Sequence, residues 1–211
     1  LKTRELQNKA LELSLFLSIP SAVALIIASE EIVSALFGYG SFNQVGVKNT
    51  ALAVFYFAMG LPAFSIAKIF LSFSFARHNT KMPFYTSLAS VILNIIISVS
   101  FFSLIGFIII PIATTISAWV HTILLFYFLK KDELFNFNKA FFDRFIRIIF
   151  SVILMGIFFN FIINFFENNL AYEENFKIFY LILIVLLGLI FYLIIAIFIK
   201  AFKISDIKLK Y

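Results

Sequence analysis

Three cations at the end of a long apolar run are the residues best suited to bind a ligand. Lys68 lies inside the run, and Arg77 and Lys81 follow at its end. With a helical rise of about 1.5 Å per residue, the Cα atom of Lys68 lies about 13 Å inside the boundary that Arg77 marks. A charge at that depth in a membrane costs about 2.5 to 3.5 kcal/mol, so Lys68 is expected to face a protein interior or a wet cavity. The three residues are candidate ligands of an anionic substrate; the alternative for Lys68 is a snorkelling or carboxylate-paired structural lysine.

Two prolines inside apolar runs are candidates for hinges. Pro20 and Pro62 each remove a backbone hydrogen bond and can kink a helix. In transporters such breaks often act as hinges or line cavities. A static kink has the same sequence pattern, so both interpretations stay open.

The other polar residues of the apolar runs fit hydrogen bonds between helices, which contribute about 0.6 kcal/mol each. They are Asn94, Thr114, Thr115, Ser117 and His121. The sequence has no Cys, and its two His residues lie far apart, so no zinc-type spacing exists. No nucleophile with an adjacent base, phosphate-binding loop or zincin motif is present. We therefore expect neither catalysis nor a cofactor or metal.

The composition indicates what must position these residues. Of the 211 residues 63% are hydrophobic and 13% charged, which is more apolar surface than a soluble domain of this length can bury. Apolar windows of about 20 residues, the length that spans a hydrocarbon core, occur six times. They are 11–29, 50–76, 85–105, 107–129, 145–166 and 176–199. Because backbone groups in lipid must bond within their element and these runs do not alternate, the predicted fold class is all-α, a polytopic transmembrane bundle of six spans.

The basic residues predict the orientation of this bundle. Fourteen of the 17 lie on one side of the predicted membrane, namely Lys2, Arg4, Lys9, Arg77, Lys81, Lys130, Lys131, Lys139, Arg144, Arg147, Lys200, Lys203, Lys208 and Lys210. Only Lys48 and Lys177 lie on the other side. Since cytoplasmic loops carry the excess of positive charge, both termini are predicted to be cytoplasmic. Short basic clusters between apolar runs also indicate membrane lipids, and not nucleic acid, as partners.

Connections between the spans carry their own signals. Ser29 is a predicted N-cap for a short helix over 30–37, whose first turn is acidic and which ends at Gly38 and Gly40. Gly106 alone separates the third and fourth spans, so they should form a tight antiparallel pair. The segment 130–147 interleaves Phe residues with charges and is expected to be amphipathic, which suits a position on the membrane surface.

Three stretches carry spaced motifs. In IPSAVALIIASEEIVSALFGYGSF the motif residues are Leu36, Phe37, Gly40 and Phe42. In GLPAFSIAKIFLSFSFARHNTKMP they are Gly60, Leu61, Pro62, Lys68, Arg77, Thr80, Lys81 and Pro83. In IATTISAWVHTILLFYFLKK they are Ala113, Thr114, Thr115, Ala118 and Trp119. In this order, over about the first 131 residues, the motifs resemble segments of the MurJ/MviN family of lipid II flippases, within the MOP superfamily.

The resemblance implies a C-terminal fragment of such a flippase. Residues 1–131 would be the last four helices of its second transport lobe, 132–147 a cytoplasmic amphipathic linker, and 148–211 two helices that form a lipid-tail groove, with a basic tail. The implied location is the bacterial cytoplasmic (inner) membrane. The implied partners are lipid II, which is the lipid-linked peptidoglycan precursor, membrane lipids, and the missing N-terminal portion, without which this fragment should not transport.

The resemblance also implies roles for the three cations. In alternating access, Lys68 would offer charge to the pyrophosphate of the substrate, while Arg77 and Lys81 would attract it at the cytoplasmic entrance. Another MOP-superfamily polysaccharide-unit flippase is the nearest alternative. A non-transporting membrane scaffold predicts instead that Lys68 pairs with a carboxylate and faces no cavity. A membrane-embedded transferase would need acidic residues near the membrane surface, for which Asp132, Glu133 and Asp143 are the candidates.

Overall fold

The computed structural model describes the backbone of residues 2–201 and the side chains of residues 5–201. The predictions for the side chains of Lys2 and Arg4, and for Lys203, Lys208 and Lys210, fall outside the described residues. Within them the chain is helical and contains no strand. The helices are α1 (Lys2–Ile27), α2 (Ser29–Phe37), α3 (Gln44–Phe75), α4 (Lys81–Ile105), α5 (Ile109–Lys131), α6 (Lys139–Phe165), α7 (Glu167–Leu170) and α8 (Lys177–Phe198), with one 3-10 turn over Gly106–Ile108.

Five helical segments within the described residues are long and apolar enough to cross a membrane. They are Glu5–Ile27, Gln44–Phe75, Lys81–Lys131, Lys139–Phe165 and Lys177–Phe198. The predicted fold class, an all-α polytopic membrane bundle, is confirmed. The count of six spans stays a prediction, because the segment Lys81–Lys131 contains both α4 and α5.

Helices α4 and α5 form the antiparallel pair that the sequence predicts. The chain turns at Gly106, whose φ of 73° is a conformation that glycine adopts without strain. Near the turn, Asn94 Nδ2 donates to Thr114 Oγ1 over 3.1 Å, and farther from it Ser87 Oγ lies 3.3 Å from His121 Nε2. Residue numbers rise along α4 toward the turn while those of their partners in α5 fall, so the two helices run in opposite directions.

Helices α3 and α5 run in the same direction and are joined by side chains of α5. Each donates a hydrogen bond to a backbone carbonyl of α3. Thr115 Oγ1 bonds the carbonyl of Tyr56 over 2.6 Å, Trp119 Nε1 that of Met59 over 3.1 Å, and Thr122 Oγ1 that of Ala63 over 2.9 Å. The carbonyls that accept these bonds lie before and after Pro62 in the chain. Because both partners' numbers rise together, the helices are parallel. The hydrogen bonds between helices predicted from the polar residues are thus present.

The described residues form two compact units. The first contains residues up to Ser18 together with Tyr56–Phe141, and the second contains Ile19–Phe55 together with the residues from Phe142 on. Helices α1 and α3 are each divided between the two units, α1 after Ser18 and α3 after Phe55. The division of function at residues 131 and 147 that the sequence predicts stays a prediction.

Aromatic residues of the segment after α5 pack into the first unit, while its role as a linker stays a prediction. Phe135 is fully buried and Phe141 almost so, in an aromatic cluster with Phe70, Phe73, Phe126 and Phe137. Asn8 of α1 holds the segment, donating to the carbonyl of Asn136 over 3.1 Å and accepting from the amide of Asn138 over 3.4 Å. The aromatic side chains pack within the first unit. The backbone polar groups beside them can be buried there, because Asn8 of α1 supplies their hydrogen-bond partners.

The connection after α1 matches the predicted helix but not its predicted cap. Helix α2 begins at Ser29 and its N-cap residue is Ala28, with no side-chain cap hydrogen bond, so the cap predicted for Ser29 was wrong. Two glutamates occupy the first turn as predicted. The amide of Gly38 bonds the carbonyl of Ser34, and Gly40 has a φ of 59°, so the two glycines end the helix.

A close approach of α8 to α6 gives the first testable prediction. A Cβ atom on Gly188 would lie 2.7 Å from Cδ2 of Phe159, a ring that is only 1% exposed and has no room to move. Gly188→Ala is expected to destabilise the protein by about 1 to 3 kcal/mol through overpacking. The midpoint of thermal unfolding of the intact protein in detergent measures the effect. Gly156→Ala, whose Cβ would meet Val23 at 3.2 Å, is the control with the smaller expected loss, and equal midpoints for both variants and the wild type would contradict the packing.

Candidate functional site

Lys68 lies on an exposed stripe of α3 in the first unit. One turn before it is Phe64, one turn after it is Ser72, and Phe75 ends the stripe and the helix. Phe64 and Phe75 are 40% and 52% exposed, so the stripe is apolar apart from Lys68 and Ser72. The Ser72 hydroxyl is bonded to the carbonyl of Lys68 over 2.9 Å.

Within residues 5–201 the ammonium of Lys68 is exposed and has no carboxylate partner. The scaffold interpretation predicted such a partner. A lysine on an apolar helical stripe about two turns from the helix end is costly in hydrocarbon, since the charge loses its water. The stripe is therefore best suited to face water or another polar surface.

Arg77 and Lys81 lie on the connection between α3 and α4. Arg77 follows the last turn of α3 and its guanidinium donates to the carbonyl of Leu134 over 3.4 Å. Lys81 is the first residue of α4. Asn79 orders the connection, because its side-chain oxygen accepts from the amide of Met82 over 3.2 Å. Both cations are exposed, and the structure shows no direct contact between either of them and Lys68.

The first unit also contains a cavity of about 260 Å³ at α3, α4 and α5, and its lining combines polar and apolar side chains. Its polar lining consists of Ser90, Asn94, Thr114, Ser117 and His121, and its apolar lining comes from α3, α4 and α5. Lys68 does not line it. Most of these polar atoms bond one another across the helices, so the cavity is a feature of helix packing and not the predicted cation site.

The two prolines lie inside continuous helices. Pro20 is buried in α1, and Pro62 is half-buried in α3. Proline has no backbone N–H, so α3 lacks one helical hydrogen bond at Pro62. The hydrogen bonds from the hydroxyl and indole groups of α5 to carbonyls on both sides of Pro62 stabilise α3 in this region. Their role as hinges stays a prediction.

Sequence reasoning missed a buried cation in the second unit. Lys177, the first residue of α8, is 1% exposed, and its ammonium donates to the carbonyls of Gly38 and Tyr172 over 2.9 and 2.6 Å. The rings of Tyr39 and Tyr172 lie 4.4 and 4.7 Å from the same nitrogen. Because Gly38 ends α2, the ammonium also sits at the negative end of that helix. Tyr39 and Tyr172 lie in two different connections of the chain, so no local sequence signal indicated this arrangement.

The long apolar helices, their polar interhelical bonds and the exposed cation of α3 define a polytopic helical membrane protein. A family model described as lipid II flippase MurJ matches residues 2–182, so the chain belongs to the MurJ family. The assignment agrees with the motif resemblance in the first 131 residues.

Individual relatives support the same assignment. The probable lipid II flippase MurJ of Rickettsia prowazekii (strain Madrid E) is 34% identical over 130 residues, which cover 62% of this chain and 26% of that protein. The corresponding protein of Rhizobium meliloti (strain 1021) is 35% identical over 121 residues, covering 57% and 23%. A solved structure of lipid II flippase MurJ in an inward closed conformation matches with a TM-score of 0.72 and 26% identity, over 93% of this chain and 39% of that one. The matched stretches of the chain thus span about a quarter of the length of these curated relatives.

Proposed function

We propose that this chain forms part of a lipid II flippase, which moves the lipid-linked peptidoglycan precursor across the bacterial cytoplasmic membrane by alternating access. The observation that carries the proposal is Lys68, a cation on an exposed apolar stripe of α3 with no carboxylate partner within residues 5–201. Family membership supplies the substrate class, since the relatives are named for lipid II.

The stripe of α3 suits a wall of an aqueous cavity. In a protein as long as the matched relatives, other helices would face the stripe and enclose water against it. A pyrophosphate carries several negative charges, and an ammonium in a cavity of low dielectric forms strong charge-assisted hydrogen bonds with it. Lys68 would thereby lower the cost of taking the substrate head group across the membrane.

Arg77 and Lys81 would act earlier in the same process. Both are exposed at the connection between α3 and α4, which the distribution of basic residues predicts to be cytoplasmic. Their positive potential would raise the local concentration of an anionic head group before it reaches Lys68. Pro20 and Pro62 would permit the bending of α1 and α3 as the cavity changes its side of access.

The experiment for this proposal is rescue of growth in a bacterial strain depleted of its own lipid II flippase. The intact protein that contains this chain is expected to restore growth and to let lipid II reach an externally added label. Membrane levels measured by immunoblot are the control. Normal levels of the protein with neither growth nor labelled lipid II would contradict the proposed function.

A further inference from the structure

Two cations of the second unit meet where the early part of α6 lies beside the end of α8. Arg147 lies about two turns into α6, and Lys200 follows the last turn of α8. The guanidinium of Arg147 donates from Nη1 to the carbonyl of Lys200 over 3.4 Å. A cation is favoured at this position, because the last carbonyls of α8 form the negative end of its dipole. Two basic residues that are 53 positions apart in the chain thus form one basic surface.

No carboxylate neutralises this basic surface within residues 5–201. Both side chains are exposed, and neither has an ion-pair partner there. Asp143 lies one turn before Arg147 on α6, a spacing that permits an ion pair, but Arg147 bonds the end of α8 instead. The rest of the chain after Ala201 adds three lysines and one aspartate. Because two cations held near each other repel, an anion between them would stabilise the surface.

The hydrogen-bond donors of the basic surface suit a phosphate. A guanidinium has five N–H donors, and within residues 5–201 only Nη1 of Arg147 has an acceptor. The remaining donors can bind two oxygens of one phosphate in the planar geometry that arginine provides. The ammonium of Lys200 adds three donors that have no partner in the same range. The charge and the donors therefore agree on an anion with several oxygens.

The side chains around the basic surface are apolar and exposed. Phe198, the last residue of α8, is 87% exposed, the highest fraction among the large apolar side chains of the described residues. Ile146 and Phe150 are neighbours of Arg147 on α6 and are 65% and 52% exposed. This end of the unit is the one that the basic residues predict to be cytoplasmic. The surface therefore suits an anion that also carries hydrocarbon.

We propose that the basic surface binds an anionic phospholipid of the cytoplasmic leaflet, with the phosphate at Arg147 and Lys200 and an acyl chain along Phe150 and Phe198. Basic residues beside a membrane span attract anionic head groups in this way. A zwitterionic head group carries its own ammonium, which would add a third cation, so phosphatidylglycerol should bind more tightly than phosphatidylcholine. The proposal is independent of lipid II transport, and either can fail without the other.

The test is native mass spectrometry of the intact protein in detergent. Phosphatidylglycerol and phosphatidylcholine are titrated separately, and the apparent dissociation constant of the first bound lipid is measured for each. Phosphatidylglycerol is expected to bind about ten-fold more tightly, since two cations contribute. Equal affinity for the two lipids would overturn the proposal.

Three variants separate this surface from a general effect of positive charge. Lys200→Gln keeps the carbonyl that accepts from Arg147, so the fold stays intact, and it should weaken phosphatidylglycerol binding about five-fold. Arg147→Gln should weaken it about ten-fold, because the planar donors are lost together with the charge. Lys131→Gln removes an exposed lysine of the first unit and is the matched control, with an expected change of less than about two-fold. Equal affinities of Lys200→Gln and Lys131→Gln would contradict the assignment.

Soluble glycerol phosphate is the second probe, because it has the phosphate without the acyl chains. It should not displace phosphatidylglycerol at equal concentration, since the contacts with Phe150 and Phe198 are missing. Displacement at equal concentration would assign the basic surface to a soluble anion and overturn the lipid proposal.

Discussion

Lys68→Ala in the intact protein is expected to abolish growth rescue in the flippase-depleted strain, at unchanged membrane levels. The ammonium lies on an exposed stripe of α3 and has no protein carboxylate to neutralise it within residues 5–201, so its removal leaves the packing of the unit intact. What is lost is the charge available to the pyrophosphate. A charge-assisted hydrogen bond contributes about 1.5 to 3 kcal/mol, which corresponds to a loss of transport of about ten- to 100-fold.

Two variants separate a lost charge from a lost fold. Lys68→Arg keeps the positive charge and should retain measurable rescue, although its planar guanidinium changes the geometry. Lys131→Ala removes an exposed lysine at the end of α5 and should rescue normally. Full rescue by Lys68→Ala at normal membrane levels would exclude Lys68 from the substrate site, while leaving family membership untouched.

Lys177→Met is expected to lower the free energy of unfolding by about 3 kcal/mol. Methionine keeps the length of the side chain but removes the donors that satisfy the carbonyls of Gly38 and Tyr172. These carbonyls would lie at a buried position without partners, and the contacts of the ammonium with the two tyrosine rings would be lost as well. Thermal unfolding of the purified protein in detergent measures the change.

The control for Lys177→Met is Lys139→Met, which replaces an exposed lysine at the first residue of α6. It should leave the midpoint of unfolding within about 1 °C of wild type, since exposed charges contribute little. Limited proteolysis of the connection after α2 gives a second readout, because α2 and α8 are joined through this lysine. A Lys177→Met protein as stable and as resistant to protease as Lys139→Met would show that the buried ammonium does not hold the connection.

The first of the two compact units was predictable in most of its helices and partly in its site. Lys68 stood out because charge inside an apolar run is rare and costly in lipid. The polar residues of α5 likewise predicted bonds between helices. Their partners could not be predicted, since Thr115, Trp119 and Thr122 bond backbone carbonyls of α3, which every residue type provides equally. The aromatic cluster around Phe135 was missed for a related reason, because an amphipathic pattern suits a protein surface as well as a membrane surface.

The sequence by itself determined that the chain is an apolar helical bundle for lipid and that Lys68 lies within one of its helices. These properties follow from residue type along the chain, because a run of about 20 apolar residues requires a helix in hydrocarbon. Only the tertiary structure decided that Lys68 lies on an exposed stripe and that Lys177 is buried. Lys177 and Gly38 are 139 residues apart in the chain, and so are unrelated until α2 and α8 pack together. The carboxylates of Glu30, Glu31 and Glu167 likewise line one cavity of the second unit only in the folded chain.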